Sequence, residues 1–257
     1  MSTTIFYIYD GTLAGLLTAV FESFDRKEAN VTVICEGEPL PLFAIDSHAV
    51  ITQEEKAERV WVGLEKKLSR VSCKLIWYAA LFEGQDNGQF IFDYICKIFR
   101  SKQHFEMDFG DPDTLRMQRI ARKVGHEYQY MRQFIRFQKC RDDIFFAPVA
   151  PESNVLPLNI EYFRDRFGDQ KWIIYDTRRH YGFFYDLENV QEITLDDEKF
   201  EVEGKLRNDL LAQEEMLFQD MWRGYFSSIT IRERINPKLH KKNMPRRFWR
   251  YLTEKQG

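Results

Sequence analysis

The chain has 257 residues, with 37 Lys and Arg against 40 Asp and Glu and a formal net charge of −3. Its 22 Phe, 12 Tyr and 5 Trp predict a substantial packed core and exclude an intrinsically disordered chain. No apolar run approaches the ~18 residues of a transmembrane helix, and the first residues lack the pattern of a signal peptide. We therefore expect a cytoplasmic protein without membrane association.

Residues 1–110 predict a short β-α-β unit followed by a helical region. Residues 3–9 are β-branched and aromatic, as in a buried strand, and Asp10-Gly11-Thr12 ends it. Thr12 is expected to cap a helix that runs to about Lys27. A second strand is predicted over 31–35, and helices over 52–68, 75–82 and 90–99, the first of these with a capping box of Thr52 and Glu55.

Residues 111–257 predict a mixed α/β half. Asp111-Pro112 is typical of a helix start, and the long helix that follows carries cations from Arg116 to Lys139. Strands are predicted over 144–149, 172–176, 181–185 and 190–195, with a hairpin turn at 177–180, and helices over 158–167 and about 206–225. The predicted fold class is α+β: a β-α-β unit, a helical middle, and a mixed α/β C-terminal half with a hairpin and a basic C-terminal helical segment. The parts 1–110 and 111–257 are two domains or one compact domain.

No complete catalytic motif is present. Asp10-Gly11-Thr12 after a strand is similar to the haloacid dehalogenase signature, but the position of the nucleophilic carboxylate is Ile8. Gly84-Gln85-Asp86 matches the start of a uracil-DNA glycosylase motif whose remaining residues are missing. The chain has no phosphate-binding P-loop, and its four Cys and five His lack metal-ligand spacing, so we predict neither a metal nor a cofactor. Cys73 and Cys96 are expected in the core.

An enzymatic alternative remains open. His180 lies at the predicted hairpin turn with Asp176 nearby, and a His beside a carboxylate is able to transfer protons. A hydrolase of the nuclease or glycosylase type would use Asp10, Asp176 or His180. It would require these side chains to converge in one concave site.

The last thirty residues, 228–257, form a basic segment. It has nine Lys and Arg against Glu233 and Glu254, an excess of seven, which leaves about −10 for the rest of the chain. Such asymmetry favours a polyanionic partner, and arginine with exposed aromatic rings suits phosphates and unpaired bases. The alternative is a protein-interaction subunit whose basic segment docks on an acidic partner or on the acidic stretch from Asp186 to Glu203. The predicted nucleic-acid-binding residues are Arg232, Arg234, Lys238, Lys241, Lys242, Arg246, Arg247, Trp249 and Arg250.

Motifs along most of the chain resemble a bacterial family of unknown function whose members are described as probable DNA metabolism proteins. The longest match runs from Trp222 to Leu239 and continues through Met244-Pro245-Arg246-Arg247-Phe248-Trp249. Shorter matches are Tyr9 to Thr12 with Phe21-Glu22, and Asn154 to Leu158. The resemblance implies an accessory role in DNA repair or modification beside a radical SAM protein encoded nearby, which would hold the iron–sulfur cluster and S-adenosylmethionine. Some members carry a fused uracil-DNA glycosylase-like domain, which we do not expect here.

Overall fold

The computed structural model describes residues 4–42, 46–101, 110–195 and 207–255. The chain divides into two compact units, Met1–Gly125 and His126–Gly257. The division falls within one long helix, so the polypeptide passes from the first unit to the second without a loop. Both units combine helices with a sheet, and the predicted α+β class is confirmed.

The sheet of the first unit has three parallel strands in the order β2-β1-β3. Its central strand, β1 (Ile5–Tyr9), pairs with β2 (Val31–Cys35) and β3 (Asp46–Ala49). Helix α1 (Leu13–Asp25) connects β1 to β2 and begins at Thr12, whose Oγ1 accepts a 2.9 Å hydrogen bond from the backbone N–H of Gly15. This cap satisfies one of the free N–H groups of the first turn, as predicted.

Helices α1 and α4 (Asn87–Arg100) contact this sheet, and α2 (Glu54–Lys67) and α3 (Arg70–Ala80) pack against them. The first half of α5 (Pro112–Phe134) also belongs to the first unit. Phe90, Ile91, Phe92 and Ile95 of α4 are buried. Cys73 and Cys96 are buried thiols, as expected, and both are free cysteines.

The second unit contains a five-stranded sheet in the order β4-β5-β6-β7-β8. Helix α6 (Leu156–Arg166) connects the parallel strands β5 and β6, and the other neighbours are antiparallel. The strands are β4 (Gln138–Lys139), β5 (Phe145–Val149), β6 (Trp172–Asp176), β7 (Tyr181–Tyr185) and β8 (Val190–Ile193). Helices α7 (Glu215–Ile229) and α8 (Pro237–Asn243) follow, together with short 3-10 helices at Asn208–Leu210, Arg232–Arg234, Arg246–Tyr251 and Thr253–Lys255.

Several predicted boundaries were wrong. Helix α3 begins at Arg70, where Ser69 accepts a hydrogen bond from the N–H of Ser72, and not at residue 75. Thr52 is no helix cap, because α2 begins after Gln53 and the Thr52 hydroxyl donates to Asp10 instead. Helix α5 ends at Phe134, so Arg136 follows the helix and Lys139 belongs to β4. The helix predicted over about 206–225 is α7, but α7 begins at Glu215 and ends at Ile229, and Asn208–Leu210 form a 3-10 helix before it. Residue 206 lies outside the described residues. Across the described ranges, no helix is both long and apolar enough to cross a membrane.

Candidate nucleic-acid interface

A groove of about 650 Å³ lies in the second unit, where the basic segment folds back beside α5 and α7. We call it the C-terminal groove. Its walls are mostly apolar, and three cations belong to its lining: Arg234, Lys241 and Lys255. The lining residues that matter for its chemistry are Phe134, Phe226, Arg234, His240, Lys241, Trp249 and Lys255. The groove therefore combines aromatic rings with positive charge.

Local sequence explains how the groove is shaped. Asn236 accepts a 3.0 Å hydrogen bond from the N–H of Leu239, and Pro237 occupies the first turn of α8, so this short helix starts sharply. Helix α8 has seven residues, and three of them, Lys238, Lys241 and Lys242, are exposed to solvent.

Two aromatic rings flank the ammonium group of Lys255. Its Nζ lies 5.0 Å from the ring centre of Phe226 and 5.6 Å from that of Trp249. The Trp249 indole is fixed by a 3.1 Å hydrogen bond from its Nε1 to the carbonyl of Met244. His240 packs edge to face against the same indole at 5.6 Å. A cation held over rings is attracted to them without being neutralised, so the positive charge of Lys255 remains available to a ligand.

His240 is the titratable imidazole of this groove. Burial, reinforced by the nearby Lys255 charge, lowers the pKa of His240 below its ordinary value, so the ring is neutral at pH 7. Its Nε2 atom is buried and has no hydrogen-bond partner among the described residues. The ring thus presents an unused donor or acceptor beside the aromatic wall.

The predicted cations of the basic segment fall into three groups. Arg234, Lys238, Lys241, Lys242 and Arg246 are exposed, and none of them forms an ion pair with a carboxylate in the described part of the chain. Arg250 is also exposed and stacks on Tyr251 at 4.7 Å. Arg247 differs, because it pairs with two carboxylates of the second unit. The side chain of Arg232 lies outside the described residues.

Arg247 anchors the segment to the body of the second unit. Its guanidinium contacts the carboxylate of Glu127 on α5 and lies 2.9 Å from Oε1 of Glu152. The Glu127 side chain is only 3% exposed, and burial raises its pKa even though a backbone N–H and Arg247 favour the charged form. Sequence reasoning missed this site because no local pattern distinguishes Glu127 from other helix glutamates.

A second anchor holds the end of the segment. The buried carboxylate of Glu254 accepts hydrogen bonds from Arg136 at 2.8 Å and from the indole N–H of Trp222 at 2.9 Å. Burial alone would raise the pKa of Glu254, but these donors outweigh it and the pKa is lowered. Both anchors use acids outside the stretch from Asp186 to Glu203. Within residues 186–195, the described part of that stretch, no ion pair with the basic segment is present.

Asp10, the first catalytic candidate, lies in the first unit at the end of β1. Its carboxylate accepts hydrogen bonds from the N–H and hydroxyl of Thr12 at 2.9 and 2.7 Å, and from the Thr52 hydroxyl at 2.7 Å. Burial would raise the pKa of Asp10, but these hydrogen bonds lower it. Asp10 therefore stays ionised and fixes the turn in which Gly11 adopts a φ of +78°.

Asp176 and His180 belong to the second unit and flank the β6–β7 turn. Asp176 is fully buried and accepts hydrogen bonds from the N–H groups of Arg178 and Arg179 at 2.9 and 3.2 Å, and from the Arg179 guanidinium at 2.6 Å. The backbone N–H of His180 donates to the carbonyl of Asp176 at 2.9 Å. The predicted turn is confirmed, and the Asp176 carboxylate is engaged by its donors.

The comparison with curated proteins gives no match. The model of a family described as a domain of unknown function, DUF4130, matches residues 85–254. This range includes α4 to α8 and every part of the C-terminal groove except Lys255. Because the match covers more than half of the chain, the protein belongs to the DUF4130 family.

Proposed function

We propose that the protein binds DNA through the C-terminal groove, as an accessory in DNA repair or modification. The observation that supports this most strongly is that two exposed cations, Arg234 and Lys241, line one groove together with aromatic rings. Neither cation forms an ion pair within the part of the chain that the structure describes. Cations of this kind bind phosphates, and aromatic rings stack on unpaired bases, each base contributing about 1–3 kcal/mol.

The dimensions of the groove favour a strand with accessible bases over an intact duplex. Its volume of about 650 Å³ is that of a small-ligand site. Phe226 and Trp249 lie within it, where the bases of a duplex would remain stacked on each other and out of reach. We therefore propose single-stranded or locally unpaired DNA as the ligand.

A protein partner is supported by a different feature, the exposed apolar side chains of α7. Leu217, Phe218, Met221, Tyr225 and Ile229 are each 53–60% exposed, and none carries a charge. We call this set the α7 apolar face. Patches of large exposed apolar residues mark interaction sites in soluble proteins. The proposed occupant is the radical SAM enzyme that the family resemblance implies, to which this protein would deliver its DNA.

The hydrolase alternative receives less support. Asp176 already accepts three hydrogen bonds and is fully buried, so substrate has no route to its carboxylate without opening the turn. Asp10 is held by three donors from two threonines. Both carboxylates are therefore explained as hydrogen-bond acceptors that stabilise turns.

The experiment is equilibrium binding of fluorescent oligonucleotides, single-stranded and duplex, to the wild type and to an Arg234→Glu/Lys241→Glu variant. The matched control is Arg166→Glu/Lys171→Glu, which reverses two exposed cations of the same unit outside the groove. We expect tighter binding of the single strand, and a loss of affinity only in the groove variant. Equal affinity of all three proteins for the oligonucleotides would show that the C-terminal groove is not the DNA-binding site.

A further inference from the structure

A second groove, of about 540 Å³, lies in the first unit between α3 and α5. We call it the α3–α5 groove. Val71, Leu75 and Tyr78 of α3 and Ala121 of α5 form its apolar walls, and Lys74 and Arg122 belong to its lining. Val71 is 62% exposed, so the apolar wall is open to solvent.

The helical stretches that form this groove, α3 and residues 114–125 of α5, contain basic residues and no acidic residue. Helix α3 contains Arg70 and Lys74 and no acidic residue. Residues 114–125 of α5 contain Arg116, Arg119, Arg122 and Lys123 and no acidic residue. Two plus four gives six cations on these adjoining helical stretches, which themselves contain no acidic residue. The incorrect start predicted for α3, at residue 75, had left Arg70 and Lys74 out of this surface.

The α5 cations are placed to meet an extended anion. Arg116, Arg119, Arg122 and Lys123 are exposed, and they span eight residues, which is about 10 Å along the helix axis. Within the described ranges, Arg119 and Arg122 form no ion pair. The guanidinium of Arg116 lies 4.1 Å from the ring centre of Phe90, and the ammonium of Lys123 lies 4.7 Å from that of Phe82.

We infer that the α3–α5 groove is a second nucleic-acid contact, which binds phosphates of a strand along α5. This inference rests on the proposed function for its ligand class, but it concerns separate residues in a separate unit. A small anion would need donors that converge on one point, whereas these cations are distributed along a line. Successive phosphates of a nucleic acid have that distribution, and the Tyr78 ring and Val71 offer apolar contact to sugars or bases.

The test is an Arg119→Glu/Arg122→Glu variant, with Arg26→Glu/Lys66→Glu as the matched control. The control reverses two exposed cations of the same unit that lie on neither α3 nor α5. Binding of a labelled single-stranded oligonucleotide is measured as a function of salt. Loss of two phosphate contacts should weaken binding about tenfold or more near 0.1 M salt and flatten the log–log salt slope by about 1.4. The control should bind as the wild type does.

The outcomes separate this inference from the proposed function. If the Arg119/Arg122 variant keeps wild-type affinity and slope while the C-terminal groove variant loses affinity, the α3–α5 site is wrong and the proposed function stands. If only the Arg119/Arg122 variant loses affinity, the α3–α5 site stands and the C-terminal groove is wrong. Failure of the wild type to bind any oligonucleotide overturns both. An Arg119→Gln/Arg122→Gln variant, with about half the charge change, provides the same readout if the glutamate variant does not fold.

Discussion

Arg247 in the basic segment forms an ion pair with Glu127 on α5, a carboxylate that is almost completely buried. Arg247 also contacts Glu152, so one guanidinium serves two acids. The neighbouring Arg246 is exposed and lies over Trp249. Two adjacent arginines therefore have different surroundings, one facing the protein body and the other facing solvent. Their substitution should have different consequences.

Replacing Arg247 by Ala should destabilise the protein by about 1–3 kcal/mol, because the buried Glu127 carboxylate loses its partner. Arg246→Ala is the control, and its cost should stay below about 1 kcal/mol because the side chain is exposed. Adding Glu127→Gln to Arg247→Ala should recover part of the loss, since a neutral amide is cheaper to bury. Urea unfolding measures all four proteins. Equal costs for the two arginines would contradict this role of Arg247.

Two glutamates should give stability profiles of opposite sign. Burial raises the pKa of Glu127 in the folded state, so the folded protein binds a proton more readily than the unfolded chain. The contribution of Glu127 to the free energy of unfolding is therefore lost as pH rises from about 4.5 through the folded pKa. The pKa of Glu254 is lowered, so its contribution is present above about 4.5 and is lost as pH falls through the folded pKa. The unfolding free energy of the wild type relative to Glu127→Gln should fall with rising pH. The unfolding free energy of the wild type relative to Glu254→Gln should rise with rising pH. If both differences changed with pH in the same direction, the opposite pKa shifts of the two glutamates would be refuted.

Asp176→Ala should lower the unfolding free energy by about 2–4 kcal/mol, because three donors of the β6–β7 turn lose their buried acceptor. Asp165→Ala is the control: Asp165 forms an exposed ion pair with Arg164, and such pairs contribute less than about 1 kcal/mol. Thermal or urea unfolding distinguishes the two. A fully stable Asp176 variant would favour the hydrolase alternative, in which this carboxylate serves chemistry.

Helix α1 shows how far sequence reasoning reaches. Its apolar period and its cap at Thr12 are local properties, and the structure confirms both. Strand β3 was missed because Asp46-Ser47-His48-Ala49 has no alternation of apolar and polar residues. It is an edge strand that is formed by pairing with β1, and this tertiary contact cannot be predicted from the residues of β3 alone.

Only the amino-acid composition of the candidate site could be predicted from the sequence, and its geometry could not. The excess of cations in the basic segment is visible in the sequence, as are the aromatic residues among them. The pairing of Arg247 with Glu127 joins residues 120 positions apart, and only tertiary structure brings them together. The sequence therefore predicted a basic surface and could not separate the arginine that anchors the segment from those that remain exposed.

The α7 apolar face should be required for partner binding and dispensable for DNA binding. Met221→Glu and Tyr225→Glu place charges on side chains that are 60% and 55% exposed, so both variants should remain folded. Each should fail to capture the co-expressed radical SAM protein, which we propose as the partner, in a pull-down, and each should still bind oligonucleotide. Ser227→Glu, also exposed on α7, is the control and should retain capture. Capture that persists in both variants would assign the partner to another surface.

The salt dependence of single-stranded DNA binding tests the central claim most directly, since each phosphate contact adds about 0.7 to the steepness of log affinity against log salt. The Arg234→Glu/Lys241→Glu variant should bind more weakly than the wild type, with a slope flatter by about 1.4, while Arg166→Glu/Lys171→Glu keeps the wild-type slope. A wild-type slope in the groove variant would contradict the assignment of these cations to phosphate binding.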